Sequence, residues 1–194
     1  MPTFRIVLVR PENEGNIGAV ARSMSNFGFN QLYLVDPVPI TDEARRRAKH
    51  GNNVLSSART FSGLREAISG SDYIVGTTGI RSSGERKFLR HYESPREFAE
   101  RIAHSSSDYS LLFGPEGLGL RNTELALCDS IVSIPTHDRY PVMNLSHAVT
   151  VLLYELFMVG FSRPPERLAI SGEKNKIMEY YSALLEEINY PPHK

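Results

Sequence analysis

Five short apolar runs constrain this chain more than anything else in it: FRIVLV (4–9), QLYLV (31–35), DYIVGT (72–77), YSLLF (109–113) and SIVSI (130–134). Runs such as YSLLF are apolar at consecutive positions, as strands covered on both faces should be. Between them lie stretches of helical character. Residues 16–27 place Ile17, Val20, Ala21, Met24 and Phe27 at helical spacing, and Gly28 supplies a stop. Further helices are read at 42–50, 64–68, from Ser94-Pro95 to 103, at 122–127, over the apolar 144–159, and at 172–188. Repeated β-then-α order gives an α/β fold: a mostly parallel sheet with helices on both faces. A chain of 194 residues suits one domain with a real core, here 1–160. Residues 161–171 read as a linker to a C-terminal helix that packs on the same domain, together spanning 161–194.

Ligands of such sheets sit beyond the carboxyl ends of the strands, so the loops after Val9, Thr77, Phe113 and Ile134 are the ones to search. The first reads PENEGNIGAVAR, where Gly15, Asn16 and Gly18 mark a tight strand-to-helix turn and Arg22 follows on the helix. Thr77-Thr78-Gly79 ends a strand and offers backbone and hydroxyl groups. The loop after Phe113 reads GPEGLG, and its glycines Gly114, Gly117 and Gly119 let backbone approach a ligand closely. It is neither a Walker A motif nor G-x-G-x-x-G. Glu116 in its middle would repel a polyphosphate, which argues against ATP or NAD and is compatible with S-adenosylmethionine, an adenosine carrying a sulfonium. The loop after Ile134 feeds the long apolar helix through Asn144, a good N-cap residue.

Lys plus Arg equals Asp plus Glu at 22 each, which excludes a histone-like polycation. The charge is uneven, however: residues 45–90 hold ten Lys or Arg against three acids. Arg45, Arg46, Arg47, Arg81, Arg86 and Lys87 in this stretch could neutralise phosphates and form a salt-dependent RNA-binding face. The single Cys128 excludes an internal disulfide and a zinc site built on several thiolates. The six histidines show no metal-ligand spacing, so no metal is expected. No run is long enough for a membrane span or a signal peptide, and the cytosol is the expected compartment.

Taken together, three motifs resemble the SpoU-type branch of the SPOUT RNA methyltransferases. Asn16-Ile17-Gly18 through Arg22 fits N-x-G-x-x-x-R, Phe113-Gly114-Pro115-Glu116 through Gly119 fits F-G-x-E-x-x-G, and Ile134-Pro135 with Asn144-Leu145-Ser146-His147-Ala148 fits I-P…N-L-S-x-A. Within that branch, RIVLVRPENEGNIGAVARSM and the VGTTGIRS loop resemble the TrmJ-type tRNA 2′-O-methyltransferases. The resemblance implies a C-terminal trefoil knot, against the general rule for unknotted chains. It implies S-adenosylmethionine held there by Thr77, Thr78, Gly79, Gly114, Glu116, Gly119, Ile134, Val142, Met143, Asn144 and Leu145. It implies a homodimer with the 144–159 helix near its interface and shared sites, and a tRNA substrate methylated on the ribose of nucleotide 32. Ribosomal RNA as the substrate, or a non-catalytic RNA-binding relative, are the alternatives. Arg22 and Asn16 are the candidates for the reacting centre. A guanidinium is a poor base, and Arg22 is better suited to stabilising a developing alkoxide or fixing a neighbouring phosphate. The chain departs from many relatives at Val142-Met143-Asn144, where they carry a serine before Leu-Asn. It also ends at PPHK, where bacterial TrmJ-type chains continue.

Overall fold

The computed structural model describes residues 2–79, 92–160, 171–188 and 190. The strands are β1 (Thr3–Val9), β2 (Gln31–Val35), β3 (Arg59–Phe61), β4 (Tyr73–Thr77), β5 (Tyr92–Glu93), β6 (Asp108–Phe113) and β7 (Ser130–Val132). The helices are α1 (Glu14–Asn26), α2 (Asp42–Ala48), α3 (Asn52–Ser56), α4 (Leu64–Ala67), α5 (Pro95–Ile102), α6 (Asn122–Leu125), α7 (Leu145–Gly160) and α8 (Ser171–Glu187). One sheet runs in the order β3-β2-β1-β6-β4-β7-β5, and every pairing is parallel. The described chain divides into two units, Met1–Phe161 and Ser162–Lys194, the second contributing α8.

The apolar runs are strands because both faces of the sheet are covered. Along β1, Ile6 and Leu8 join a core with Ile17, Val20 and Met24 of α1, Phe98 and Ile102 of α5, and Val149 and Leu152 of α7. Val7 and Val9 point the other way, into a second core with Val35, Phe61, Ala67, Ile68, Leu112 and Cys128. All four β1 residues are fully buried. Each such side chain contributes about 1.5–3 kcal/mol relative to exposure.

The five strands legible in the sequence are all present; β3 and β5 are additions. These edge strands have three and two residues, too few for a period to show. The 42–50 helix stops at Ala48, where Lys49 adopts a left-handed φ of 52° and a 3-10 turn, Lys49–Gly51, leads into α3. The last strand stops at Val132, so Ile134 belongs to the loop. The first helix starts at Glu14 rather than Asn16, because Asn13 caps it by accepting the Asn16 N–H at 3.3 Å. Gly18 therefore lies inside α1 and not in the turn. Its role is packing: a Cβ there would stand 2.1 Å from the Ala44 carbonyl oxygen of α2, so only glycine lets the two helices cross this closely.

Two ties set the carboxyl edge of the sheet. Arg10, just past β1, makes a two-pronged ion pair with Glu124 of α6, its Nη2 lying 3.1 Å from Oε2. Burial works against the Glu124 carboxylate, yet the Arg10 guanidinium and the Arg121 N–H outweigh it and hold the acid below its ordinary range. On the opposite face, Ser23 of α1 and Thr150 of α7 share a hydrogen bond at 2.6 Å. Phe27 packs its ring on Tyr154 and Phe157 of α7.

Candidate active site

Three loops meet at the carboxyl ends of β4, β6 and β7. Thr77, Thr78 and Gly79 leave β4; Gly114 to Gly119 leave β6; Ile134, Thr136 and Pro141 to Met143 follow β7. Together with Leu145 and Ala148 at the start of α7 they enclose one cleft. Of the donor-binding residues expected from the sequence, Thr77, Thr78, Gly79, Gly114, Glu116, Gly119, Ile134, Val142, Met143 and Leu145 line it. Asn144 lines an adjoining open hollow instead, with Tyr140 and His147. Phe113, Leu118, Leu120, Val132, Thr136 and Ala148 complete the cleft wall. All but Thr136 are apolar, and no spacing signal sets them apart from core residues.

The walls are held from behind. The Thr77 hydroxyl donates to the Leu112 carbonyl at 2.9 Å, so it fastens β4 to β6 rather than facing a ligand. The Thr78 N–H donates to the Val132 carbonyl. Thr136 donates to the Pro141 carbonyl at 2.9 Å and closes the last loop on itself. Gly114 packs backbone on backbone: a Cβ there would lie 2.1 Å from the Gly119 carbonyl carbon and 2.2 Å from the Leu120 nitrogen.

Glu116 ties the loop after β6 to the loop between β1 and α1 and, through Asn16, to Asn144 at the start of α7. Its carboxylate accepts the N–H groups of Glu12 at 2.9 Å and Asn13 at 3.2 Å, and the Asn16 side-chain amide at 2.8 Å. Asn16 in turn accepts from the Asn144 amide at 3.2 Å, and the Asn144 oxygen accepts from the Ser146 N–H and hydroxyl. The loop between β1 and α1 is where a doubly wound fold ordinarily binds a phosphate on free N–H groups. Here a carboxylate of the protein occupies that position, and the open cleft lies next to it. The Asn16 side chain is held in this relay between Glu116 and Asn144.

Arg22 does not line the cleft of its own chain. It is exposed on α1, with its Cα against Gly51 of the 3-10 turn. Arg46 and Arg47 are not free cations either. Both donate to Glu43 one turn away, at 2.9 Å and 2.8 Å through their Nε atoms, and these bonds hold the Glu43 carboxylate below its ordinary range. Arg45 is exposed. Arg81, Arg86 and Lys87 lie outside the described residues. Among the described residues no group of acids, histidines and cysteine is placed to hold a metal, and no helix is long and apolar enough to cross a membrane.

The cleft fits a ligand of a particular kind. Among its described lining residues there is no Lys or Arg to pair with a phosphate, and the lining is largely backbone and aliphatic. The one charged side chain among those described residues is the Glu116 carboxylate. An uncharged nucleoside bearing a cationic tail satisfies both conditions; a nucleotide polyphosphate satisfies neither.

The sequence matches the SpoU rRNA Methylase family over residues 3–154. It is 42% identical over 153 residues to tRNA (cytidine-2′-O-)-methyltransferase TrmJ of Methanocaldococcus jannaschii, covering 78% of this chain and 66% of that protein. It is 36% identical over 183 residues to tRNA (cytidine/uridine/adenosine-2′-O-)-methyltransferase TrmJ of Pseudomonas aeruginosa, covering 92% of this chain and 67% of that one. The chain thus spans about two thirds of the length of these relatives. The crystal structure of TrmJ from Z. mobilis ZM4 superposes with a TM-score of 0.74 at 30% identity, over 98% of this chain and 82% of the other.

Proposed function

The chain belongs to the SpoU rRNA methylase family, and from that membership we propose that it methylates the ribose 2′-hydroxyl of nucleotide 32 in the tRNA anticodon loop, with S-adenosylmethionine as donor. The observation that carries this reading is the cleft at the carboxyl edge of the sheet, with no Lys or Arg among its described lining residues and with the Glu116 carboxylate in its wall, fastened to the loop between β1 and α1. The choice of tRNA over ribosomal RNA rests on the TrmJ proteins it resembles, whose names specify tRNA. Incubation with S-adenosylmethionine and a mixture of unmodified tRNA and rRNA, followed by mapping of ribose methylation, is expected to mark tRNA at that nucleotide. Methylation confined to rRNA would overturn the choice of substrate. Failure to bind S-adenosylmethionine in calorimetry would leave only the reading of a non-catalytic RNA-binding relative.

S-adenosylmethionine, when bound, supplies a methyl group activated on a sulfonium. The backbone of the 77–79, 114–119 and 141–143 segments and the aliphatic side chains of Ile134, Val142 and Leu145 would hold it. The protein's task is placement of the 2′-oxygen in line with the donor methyl. Arg22 stabilises the alkoxide that develops as the hydroxyl proton passes to solvent, or fixes the adjoining RNA phosphate that takes that proton. Val142 presents no hydroxyl, so no side-chain oxygen at that position assists.

Arg22 stands away from its own cleft, so the reading requires a homodimer in which Arg22 serves the partner's cleft. Support for an interface comes from α7, whose outward stripe of His147, Val151, Tyr154 and Met158 recurs at helical spacing; Tyr154 is 46% and Met158 39% exposed. The trefoil knot belongs to the same proposal. It is supported by a strand order in which β6 lies between β1 and β4, and β7 between β4 and β5.

The basic α2 surface is the proposed tRNA backbone contact, together with Arg81, Arg86 and Lys87. Glu43 orients Arg46 and Arg47 and also lowers the net charge they present. Reversing Arg45, Arg46 and Arg47 to glutamate is expected to weaken tRNA binding and to flatten the dependence of log affinity on log salt by about two to three. An unchanged slope in a salt series would remove α2 from the interface.

A further inference from the structure

The hollow beside the donor cleft has no assigned occupant. It shares the wall formed by Glu116, Thr136, Val142 and Met143 with that cleft, and opens on its far side between Tyr140 and His147. A ligand seated in it would therefore touch whatever fills the cleft. The polar groups of the shared wall are already engaged: Glu116 with the α1 loop and Thr136 with Pro141. Tyr140 is different. Its ring is 81% exposed, far more than packing requires, although its backbone is fixed by a turn in which its N–H donates to the His137 carbonyl at 3.0 Å. Among the described residues the Tyr140 hydroxyl has no hydrogen-bond partner. A rigid loop thus presents an aromatic face to solvent at the mouth of a hollow that adjoins the cleft.

From this we infer that Tyr140 is the stacking platform for the base of the acceptor nucleoside, turned out of the RNA into this hollow. No Lys or Arg lines the hollow among the described residues, so it suits a base and ribose rather than a phosphate. Unpaired RNA bases are commonly recognised by stacking on aromatic side chains. Stacking tolerates any base, because every base has a π-face. The inference rests on the proposed RNA methylation, whose acceptor it places.

The test measures two affinities of the full chain, for S-adenosylmethionine by calorimetry and for an unmodified tRNA transcript by anisotropy, alongside methyl transfer. Tyr140→Ala is expected to raise Kd and KM for tRNA about five- to hundredfold, the worth of one base–aromatic stack, with S-adenosylmethionine affinity unchanged. Tyr140→Phe is expected to restore tRNA affinity, since the ring and not the hydroxyl does the work. Unchanged tRNA affinity in Tyr140→Ala overturns the inference. So does a matching loss of S-adenosylmethionine binding, which would mark Tyr140 as a support for the 141–143 segment. A wild-type chain that transfers no methyl to any RNA overturns the proposed function, while the tRNA affinities still decide the role of Tyr140.

Discussion

Arg22→Ala is expected to lower methyl transfer to tRNA by about a hundredfold or more, the usual loss when a group that stabilises a developing oxyanion is removed. S-adenosylmethionine affinity should stay where it is, because Arg22 does not line the cleft. The fold should also stay intact. The side chain is exposed on the outer face of α1, opposite the buried Ile17, Val20, Ala21 and Met24. Among the described residues its guanidinium has no hydrogen-bond or ion-pair partner, so truncation orphans nothing. Single-turnover transfer with calorimetry on the same preparation checks both halves. Arg22→Lys separates the two roles open to the residue. A lysine keeps the charge and could still fix a phosphate as a point charge, but loses the planar fork. Full turnover in Arg22→Ala would remove this residue from the chemistry.

The parts of this fold that were legible in the sequence are those governed by local pattern. FRIVLV and YSLLF read as strands because burial on both faces leaves them apolar at consecutive positions, and Ser94-Pro95 reads as a helix start because an N-cap residue is followed by a proline suited to the first turn; in the structure Ser94 and Glu97 cap each other there. What could not be read depends on partners distant in the chain. Gly18 looks like a turn glycine beside Asn16, yet the reason for it is the Ala44 carbonyl of a helix that arrives 26 residues later. Glu116 reads as a carboxylate that holds its loop through backbone amides, but which amides it takes, those of Glu12 and Asn13 about a hundred residues away, is not a local fact. The Thr77 hydroxyl is consumed by Leu112, and two of the three arginines on α2 by Glu43. The loop motifs mark segments that come together at one cleft, because glycine and asparagine clusters at strand ends are local facts. The division of labour inside it is tertiary.

Gly114→Ala is expected to abolish measurable S-adenosylmethionine binding while leaving most of the domain folded. The added methyl would stand 2.1 Å from the Gly119 carbonyl carbon and 2.2 Å from the Leu120 nitrogen, and both are backbone atoms that cannot rotate aside. The loop has to open. Overpacking of this kind costs about 1–3 kcal/mol where a core can adjust, and a displacement of about 1 Å at a positioning wall is worth some hundredfold in rate. The sheet should survive, since β6 ends at Phe113 and the Arg10–Glu124 pair holds the far side of the loop. The same variant tests whether sites are shared. Gly114→Ala spoils the cleft of its own chain but keeps Arg22; Arg22→Ala keeps the cleft but lacks the guanidinium. If Arg22 serves the partner's cleft, a mixed dimer of the two has one site with both parts intact. Co-refolding the two inactive chains in equal amounts should then recover about a quarter of wild-type turnover, from half the dimers each with one working site out of two. If Arg22 serves its own cleft, no dimer in the mixture contains a complete site and the activity stays at the level of the parents.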